Sequence, residues 1–265
     1  MSTRDGYKHG TPCWVDHSSK DPAAAAKFYG GLFGWETEDQ MPPDAPGHYF
    51  MATLNGRDVA ALGMGQAEDA PPMWNTYIWV DSADEAATRA QTAGGTPTGE
   101  PFDIFDAGRM AVLQDHAGAW FCIWQAGNRR GAGIVNEPGA WCWSELQTRD
   151  AEGSKRFYGE VFGWRAIPIE RDGDEYTTWQ LPDSGEDRPI GGMSQMTDDR
   201  WPAEVPSHWS IAFAVSDTDA VAADCEERGG GVAMPPFETP FGRTSVLLDP
   251  LGASFAVIRL TDATG

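Results

Sequence analysis

The sequence predicts an α+β protein built from two copies of one domain, and three observations carry this. "FYGGLFGW" at residues 28–35 returns as "FYGEVFGW" at residues 157–164, 157 − 28 = 129 positions later. "GRMAVLQDHAGAWF" from Gly108 returns as "GRTSVLLDPLGASF" from Gly242, 242 − 108 = 134 positions later. Within each copy, stretches with strand character alternate with short amphipathic helices in the order β-α-β-β-β, and that order occurs twice per copy.

In the first copy, "TPCWVDH" has strand character. Asp21 then reads as an N-cap with Pro22 at the first helical position. Residues 23–32 form an Ala-rich helix with an apolar stripe of Phe28, Tyr29 and Leu32, and Gly34 ends it. "HYFMATL" and "RDVAALGM" follow as strands joined by Asn55-Gly56, the strongest short hairpin signal. A second cycle starts with the strand "WNTYIWV". Ser82 and Glu85 make a capping box before a helix that stops at Gly94-Gly95, and strands around "PFDIF", "RMAVLQD" and "AWFCIWQ" complete the copy. The alignment of "CWVDHSSKDPAAAAKFYGGLFGW" from Cys13 with "CWSELQTRDAEGSKRFYGEVFGW" from Cys142 carries the same reading into the second copy. Gly63-Met64 likewise matches Gly192-Met193. The expected organisation is a first domain at residues 8–128, a Gly-rich linker at 129–139 and a second domain at 140–262.

With 41% hydrophobic residues and twelve Trp, the chain can build real cores, and no apolar run approaches a membrane span. The N-terminal stretch has no signal-peptide core, so a cytoplasmic protein is expected. The formal net charge of −21 repels nucleic acid and anionic lipid; it serves solubility, or in a sharper reading attracts a cationic small molecule. The four cysteines form no CxxC pair, which suits reduced thiols. Phe28, Tyr29, Phe33, Trp35 and their counterparts read as core, with "FGW" packing the helix onto its own sheet. Arg109 and Arg243, each after a Gly and before a strand, read as turn anchors or as an anion clamp.

The paired β-α-β-β-β units, with "DPAAAAKFYGGLFGW", "DAEGSKRFYGEVFGW", "DHAGAWF" and "DPLGASF", resemble the vicinal oxygen chelate superfamily, which includes glyoxalases, extradiol dioxygenases and bleomycin-resistance proteins. The resemblance covers nearly the whole chain. It implies two tandem domains, each curling a pair of units into an open barrel around a cavity. It also implies metal ligands, where used, on the first and last strands of each unit. Carried over one by one, those positions fall on Trp14 and Trp143, on Asn75 and Ser210, and on Cys122 and Ala256. Trp, Ala, Ser and a lone Asn do not make a divalent-ion site, so neither metal nor cofactor is expected there.

Period-2 alternation extends these positions into cavity-facing sets. The first copy gives Trp14, Asp16, Asn75, Tyr77, Trp79, Trp120, Cys122 and Trp124, an aromatic wall with one acid. The second gives Trp143, Glu145, Ser210, Ala212, Ala214, Ser254, Ala256 and Ile258, with fewer rings. The expected function is metal-independent binding of an aromatic or cationic small molecule, with Asp16 as the charge in the richer first cavity. The alternative is a glyoxalase-like or hydroxylase- or dioxygenase-type enzyme, a lyase or an oxidoreductase, acting on a small metabolite with either a metal at a shifted site or acid–base chemistry at Asp16 or Glu145. The expected assembly is a monomer with an intramolecular pseudo-dimer, or a homodimer.

Overall fold

The computed structural model describes residues 3–65, 70–171, 174–182 and 188–261. The first copy runs β1 (Pro12–Ser19), α1 (Pro22–Phe33), β2 (Glu36–Asp39), β3 (Tyr49–Leu54), β4 (Arg57–Met64), β5 (Met73–Trp79), α2 (Ala83–Thr92), β6 (Thr96–Pro97), β7 (Phe102–Ile104), β8 (Gly108–Gln114) and β9 (Trp120–Ala126). The second runs β10 (Trp141–Thr148), α3 (Ala151–Phe162), β11 (Arg165–Arg171), β12 (Asp174–Gln180), β13 (Gly191–Gln195), β14 (His208–Ala214), α4 (Thr218–Glu227), β15 (Gly231–Thr239), β16 (Gly242–Leu248) and β17 (Ser254–Leu260).

Local chemistry sets these elements as the sequence predicts. The Asp21 carboxylate accepts from Ala24 N at 2.9 Å, Pro22 opens α1, and Gly34 closes it with φ at 72°. Asn55 and Gly56, with φ of 53° and 72°, turn β3 into β4. Strands β2 and β6 are short additions that the sequence patterning does not reveal.

Each copy forms one sheet that curls into a half-barrel, β2-β3-β4-β1-β5-β9-β8-β6 in the first and β11-β12-β13-β10-β14-β17-β16-β15 in the second, with β7 beside β8. The two βαβββ units of a copy meet where β1 pairs antiparallel with β5, and β10 with β14. The last strand of each second unit runs parallel to its central neighbour, β9 to β5 and β17 to β14.

The repeated octapeptide does more than pack a helix onto its own sheet. Phe33 and Trp35 stand against Phe213 of the other copy, with ring centroids 4.8 and 5.4 Å away, and Phe28 faces Phe255. The Trp35 indole donates to Gly139 O and the Trp164 indole to Gly10 O, each at 2.7 Å. The Tyr29 hydroxyl, fully buried, donates to Asp249 Oδ2 at 3.0 Å and accepts from the Trp74 indole at 2.9 Å. Tyr158 repeats this in mirror fashion, donating to Asp115 at 3.1 Å and accepting from Trp209 at 2.9 Å. Asp115 and Asp249 are the first residues of the two terminal hairpins, and their other carboxylate oxygens accept backbone N–H groups of those turns. The helix of each copy is thus hydrogen-bonded to the hairpin of the other.

The two locks differ in one neighbour. His17, with no exposed surface, sits with Nε2 2.9 Å from Asp249, whereas the aligned residue beside the other lock is Leu146. Burial pushes the Asp249 carboxyl up, but His17, the Ala253 N–H and the Tyr29 hydroxyl together hold it below its ordinary value. Asp115, without such a His, is raised by burial.

Tyr29→Phe and Tyr158→Phe keep the ring and leave a buried indole N–H without its acceptor; Tyr158→Phe also takes the donor from Asp115 Oδ2, whereas Asp249 Oδ2 keeps His17 beside it. Each is expected to cost about 1–3 kcal/mol, measured by urea unfolding. The pH dependence follows from Asp249. Its folded-state value is depressed, so its stabilisation is present above the unfolded value near about 4 and is lost as pH falls through the folded one. Asp249→Asn should flatten the acid limb of the stability profile, read by unfolding midpoints across acidic pH.

Candidate functional site

Strand register decides which side chains share a layer on each concave face. In the first copy Trp14 lies opposite Tyr77, and Tyr77 beside Cys122. Asp16 lies opposite Asn75. The second copy repeats the layers as Trp143, Ala212 and Ala256, with Glu145 opposite Ser210. Counting from the capped helix cannot say which residues Asn75 and Ser210 stand opposite. The antiparallel pairing sets them opposite the acids, because hydrogen-bond register and not residue count aligns antiparallel strands.

In the first copy this face is packed with its own side chains. Trp14, Asp16, Tyr77 and Cys122 are 8%, 5%, 7% and 3% exposed. Asp16 accepts from Asn75 Nδ2 and the Tyr77 hydroxyl at 2.8 Å each, and from the Tyr49 hydroxyl at 3.2 Å. Burial still raises its carboxyl above the ordinary value, against the pull of those donors. Burial likewise pushes the Cys122 thiol up, with Asp16 adding to it. Trp79 and Trp124 are partly buried at the rim, where Trp124 Nε1 donates to Arg129 O. Trp120, at the start of β9, is 38% exposed.

The second copy holds a cavity of about 550 Å³ on the equivalent face. Ala212 and Ala256 stand where the first copy has Tyr77 and Cys122, and these small side chains leave part of that space open. Trp141, Trp143, Tyr176 and Phe241 supply rings, while Ser210, Gln147 and Thr178 supply polar groups. Glu145 lines the cavity and is half-buried. It accepts from the Tyr176 hydroxyl at 2.7 Å and Ser194 at 3.0 Å, and also from Gln147. The N-terminal segment and the linker add Arg4, Tyr7, Val135 and Asn136. Thr11 and Pro12 of the first copy also line the cavity, so its wall spans both copies, and Tyr7 is fixed by its hydroxyl bond to Ala132 O at 2.8 Å. Beyond Gln147, in register with it, lies His208. Burial holds its imidazole below the ordinary value, against the carbonyl of Pro206, which it meets at 2.8 Å, and the charge of Glu145.

Among the described residues, no three His, Cys, Asp or Glu side chains gather where a metal ion could be held. The four cysteines are free. No helix of the described residues is long and apolar enough to cross a membrane.

The sequence matches the family model described as "Glyoxalase/Bleomycin resistance protein/Dioxygenase superfamily" twice, over residues 14–123 and 142–257. The chain belongs to this superfamily. It is 41% identical over 264 residues to "Putative glyoxylase CFP32" of Mycobacterium tuberculosis, covering 98% of both chains. It is 35% identical over 270 residues to "Anthracycline biosynthesis protein DnrV" of Streptomyces peucetius, covering 97% of this chain and 95% of that one. Among solved structures, the Mn(II)-bound glyoxalase from Novosphingobium aromaticivorans shares the fold with a TM-score of 0.64 at 15% identity, over 97% of this chain and 85% of that one. The 2,3-dioxygenase LapB from Pseudomonas sp. KL28 does so with a TM-score of 0.65 at 15% identity, over 96% and 93%.

Sequence reading singles out the two acids but misses the tyrosines that hold them, Tyr49 on Asp16 and Tyr176 on Glu145. A signal was available in the duplicated Gly63 and Gly192. A Cβ on Gly63 would lie 2.8 Å from the Tyr49 ring, and one on Gly192 would overlap the Tyr176 hydroxyl. Arg109 and Arg243 are anchors: Arg109 binds Asp84 and Asp103, and Arg243 binds Asp219 and Glu238. Gly192→Ala is expected to push the Tyr176 hydroxyl off Glu145 while the sheet stays intact. A crystal structure of the variant checks this, and an unmoved Tyr176 would contradict it.

Proposed function

We propose that the second-copy cavity binds a flat aromatic small molecule without a metal. The observation that carries this is the exchange of Tyr77 and Cys122 for Ala212 and Ala256. The two alanines stand in the wall of a cavity of about 550 Å³ bordered by Trp143, Tyr176 and Phe241, with a carboxylate at its floor. A ring fits by stacking, and Glu145 and Ser210 orient its hydroxyl or cationic groups. The donors at hand, one carboxylate with hydroxyls and an amide, do not fit a divalent-ion site. A relative named for anthracycline biosynthesis supports a polycyclic ligand, anthracyclines being flat fused rings. The first-copy residues Trp14, Asp16, Asn75, Tyr77 and Cys122 then serve packing. The setting we propose is cytoplasmic.

A second reading, an enzyme of the lyase or oxidoreductase kind, is favoured by the relative named as a glyoxylase and by Glu145 with His208 on adjacent strands. In that reading these two groups would move a proton on a substrate seated against Trp143.

Alizarin, a flat dihydroxy tricycle, is a suitable probe, titrated by calorimetry. Ala212→Tyr should fill the cavity as Tyr77 fills the first copy and abolish binding with the fold retained. Trp143→Ala should weaken it about tenfold or more, and Glu145→Gln by a similar factor if a charge-assisted hydrogen bond is lost. Binding unchanged in Ala212→Tyr rules this cavity out. Elemental analysis after mild purification should find no stoichiometric transition metal, and one equivalent per chain would favour the enzyme.

A further inference from the structure

Beside the wall that the N-terminal segment gives to the second-copy cavity lies another concavity, of about 580 Å³, and Arg4, Tyr7 and Thr11 border both. Arg4, Lys8 and Arg130 line it, with Tyr7 and Trp79 as its rings. Asp5 is the one acid in the lining, and it turns to Arg57 at 3.7 Å. The background makes this unusual: the chain carries 40 Asp and Glu against 19 Lys and Arg. Several guanidiniums elsewhere hold carboxylates, Arg57, Arg89, Arg109, Arg129, Arg149, Arg228 and Arg243 among them. Among the described residues Arg4, Lys8 and Arg130 have no carboxylate partner.

The groups also converge. A Cβ placed on Gly6 would meet Arg130 Nε at 3.5 Å and Trp79 Cη2 at 3.8 Å, so guanidinium and indole border the same backbone point. The Tyr7 and Trp79 rings are 6.2 Å apart and tilted by 38°. Their supports are rigid. Trp79 exchanges backbone hydrogen bonds with Gly10 and Thr11, and Tyr7 is tied to Ala132. Three unpaired cations over two fixed rings suit a flat molecule with a negative group, the guanidiniums meeting its oxygens and the indole its ring face.

We propose that this junction is a binding site for an aromatic carboxylate or aromatic phosphate, separate from the second-copy cavity and of opposite charge preference to the acidic surface around it. Trp79, which sequence alone assigns to a cation pocket with Asp16, works in this site with cations.

Calorimetry on the full chain with 2-naphthoate, 2-naphthyl phosphate and their neutral twin 2-naphthol tests this. One or both anions should bind, and whichever binds more tightly identifies the acidic group. 2-Naphthol should bind at least about tenfold more weakly, and anion binding should weaken as ionic strength rises from about 0.01 M to about 0.1 M. The double variant Lys8→Glu/Arg130→Glu alters only exposed side chains and should lose about tenfold or more with unchanged thermal unfolding, while Trp143→Ala leaves anion binding intact. The proposal is overturned if neither anion binds, or if 2-naphthol binds as tightly as they do to Trp143→Ala, in which the second-copy cavity is weakened. It is equally overturned if Trp143→Ala removes binding and the double charge variant does not, which would assign the probe to the other cavity.

Discussion

The rest of the structure depends on a hydrogen bond made twice, from the tyrosine of each duplicated helix to the hairpin aspartate of the other copy. Tyr29 reaches Asp249 and Tyr158 reaches Asp115, each with an indole N–H behind it. Both hydroxyls are fully buried. A buried hydroxyl that loses its acceptor forfeits more than the bond is worth in net terms, so each pair strongly disfavours any other placement of the copies. The aromatic contacts around it, Phe33 and Trp35 on Phe213 and Phe28 on Phe255, supply the nonspecific part of the same interface. The hydrogen bonds supply its register.

This constraint explains why two sequence motifs recur together. Neither "FYG" nor the Asp-x-x-Gly hairpin completes its hydrogen bonds within its own copy. The aspartate needs one oxygen for its turn and offers the other across the interface. Duplication keeps both because each lock uses one motif from each copy. The locks are also on the helix side of the sheets, away from the concave faces. The concave faces are therefore free to diverge, and they have: the same layer reads Trp14, Tyr77, Cys122 in one copy and Trp143, Ala212, Ala256 in the other.

Much of the fold was legible in the residues. The caps at Asp21 and Ser82, the Asn55-Gly56 turn and the 129-residue repeat lead directly to observed elements. The superfamily itself was legible for the same reason. What was not legible concerns distance across the chain. Trp35 reads as an anchor for its own helix because periodicity reports which residues are buried, not what buries them. Which residue Asn75 stands opposite, Asp16, is likewise beyond counting, which cannot supply antiparallel register. An aromatic-rich concave set reads as a pocket, yet large rings fill space as readily as they line it. The open face is the one whose inward residues are small.

That last point turns on volume and not on residue type. Both acids are kept, both are capped by a tyrosine hydroxyl, and both tyrosines rest against a glycine. The polar floor is thus common to the two copies, and the two layers differ in what stands above it. With Tyr77 present, the hydroxyl of that ring takes an Asp16 lone pair and the ring excludes water, so the carboxylate is buried and raised. With Ala212 in its place, Glu145 stays half-buried at the edge of open space. Small inward side chains at Ala212 and Ala256 leave Glu145 bordering open space where Tyr77 and Cys122 cover Asp16, while the lock between the copies holds the surrounding frame fixed.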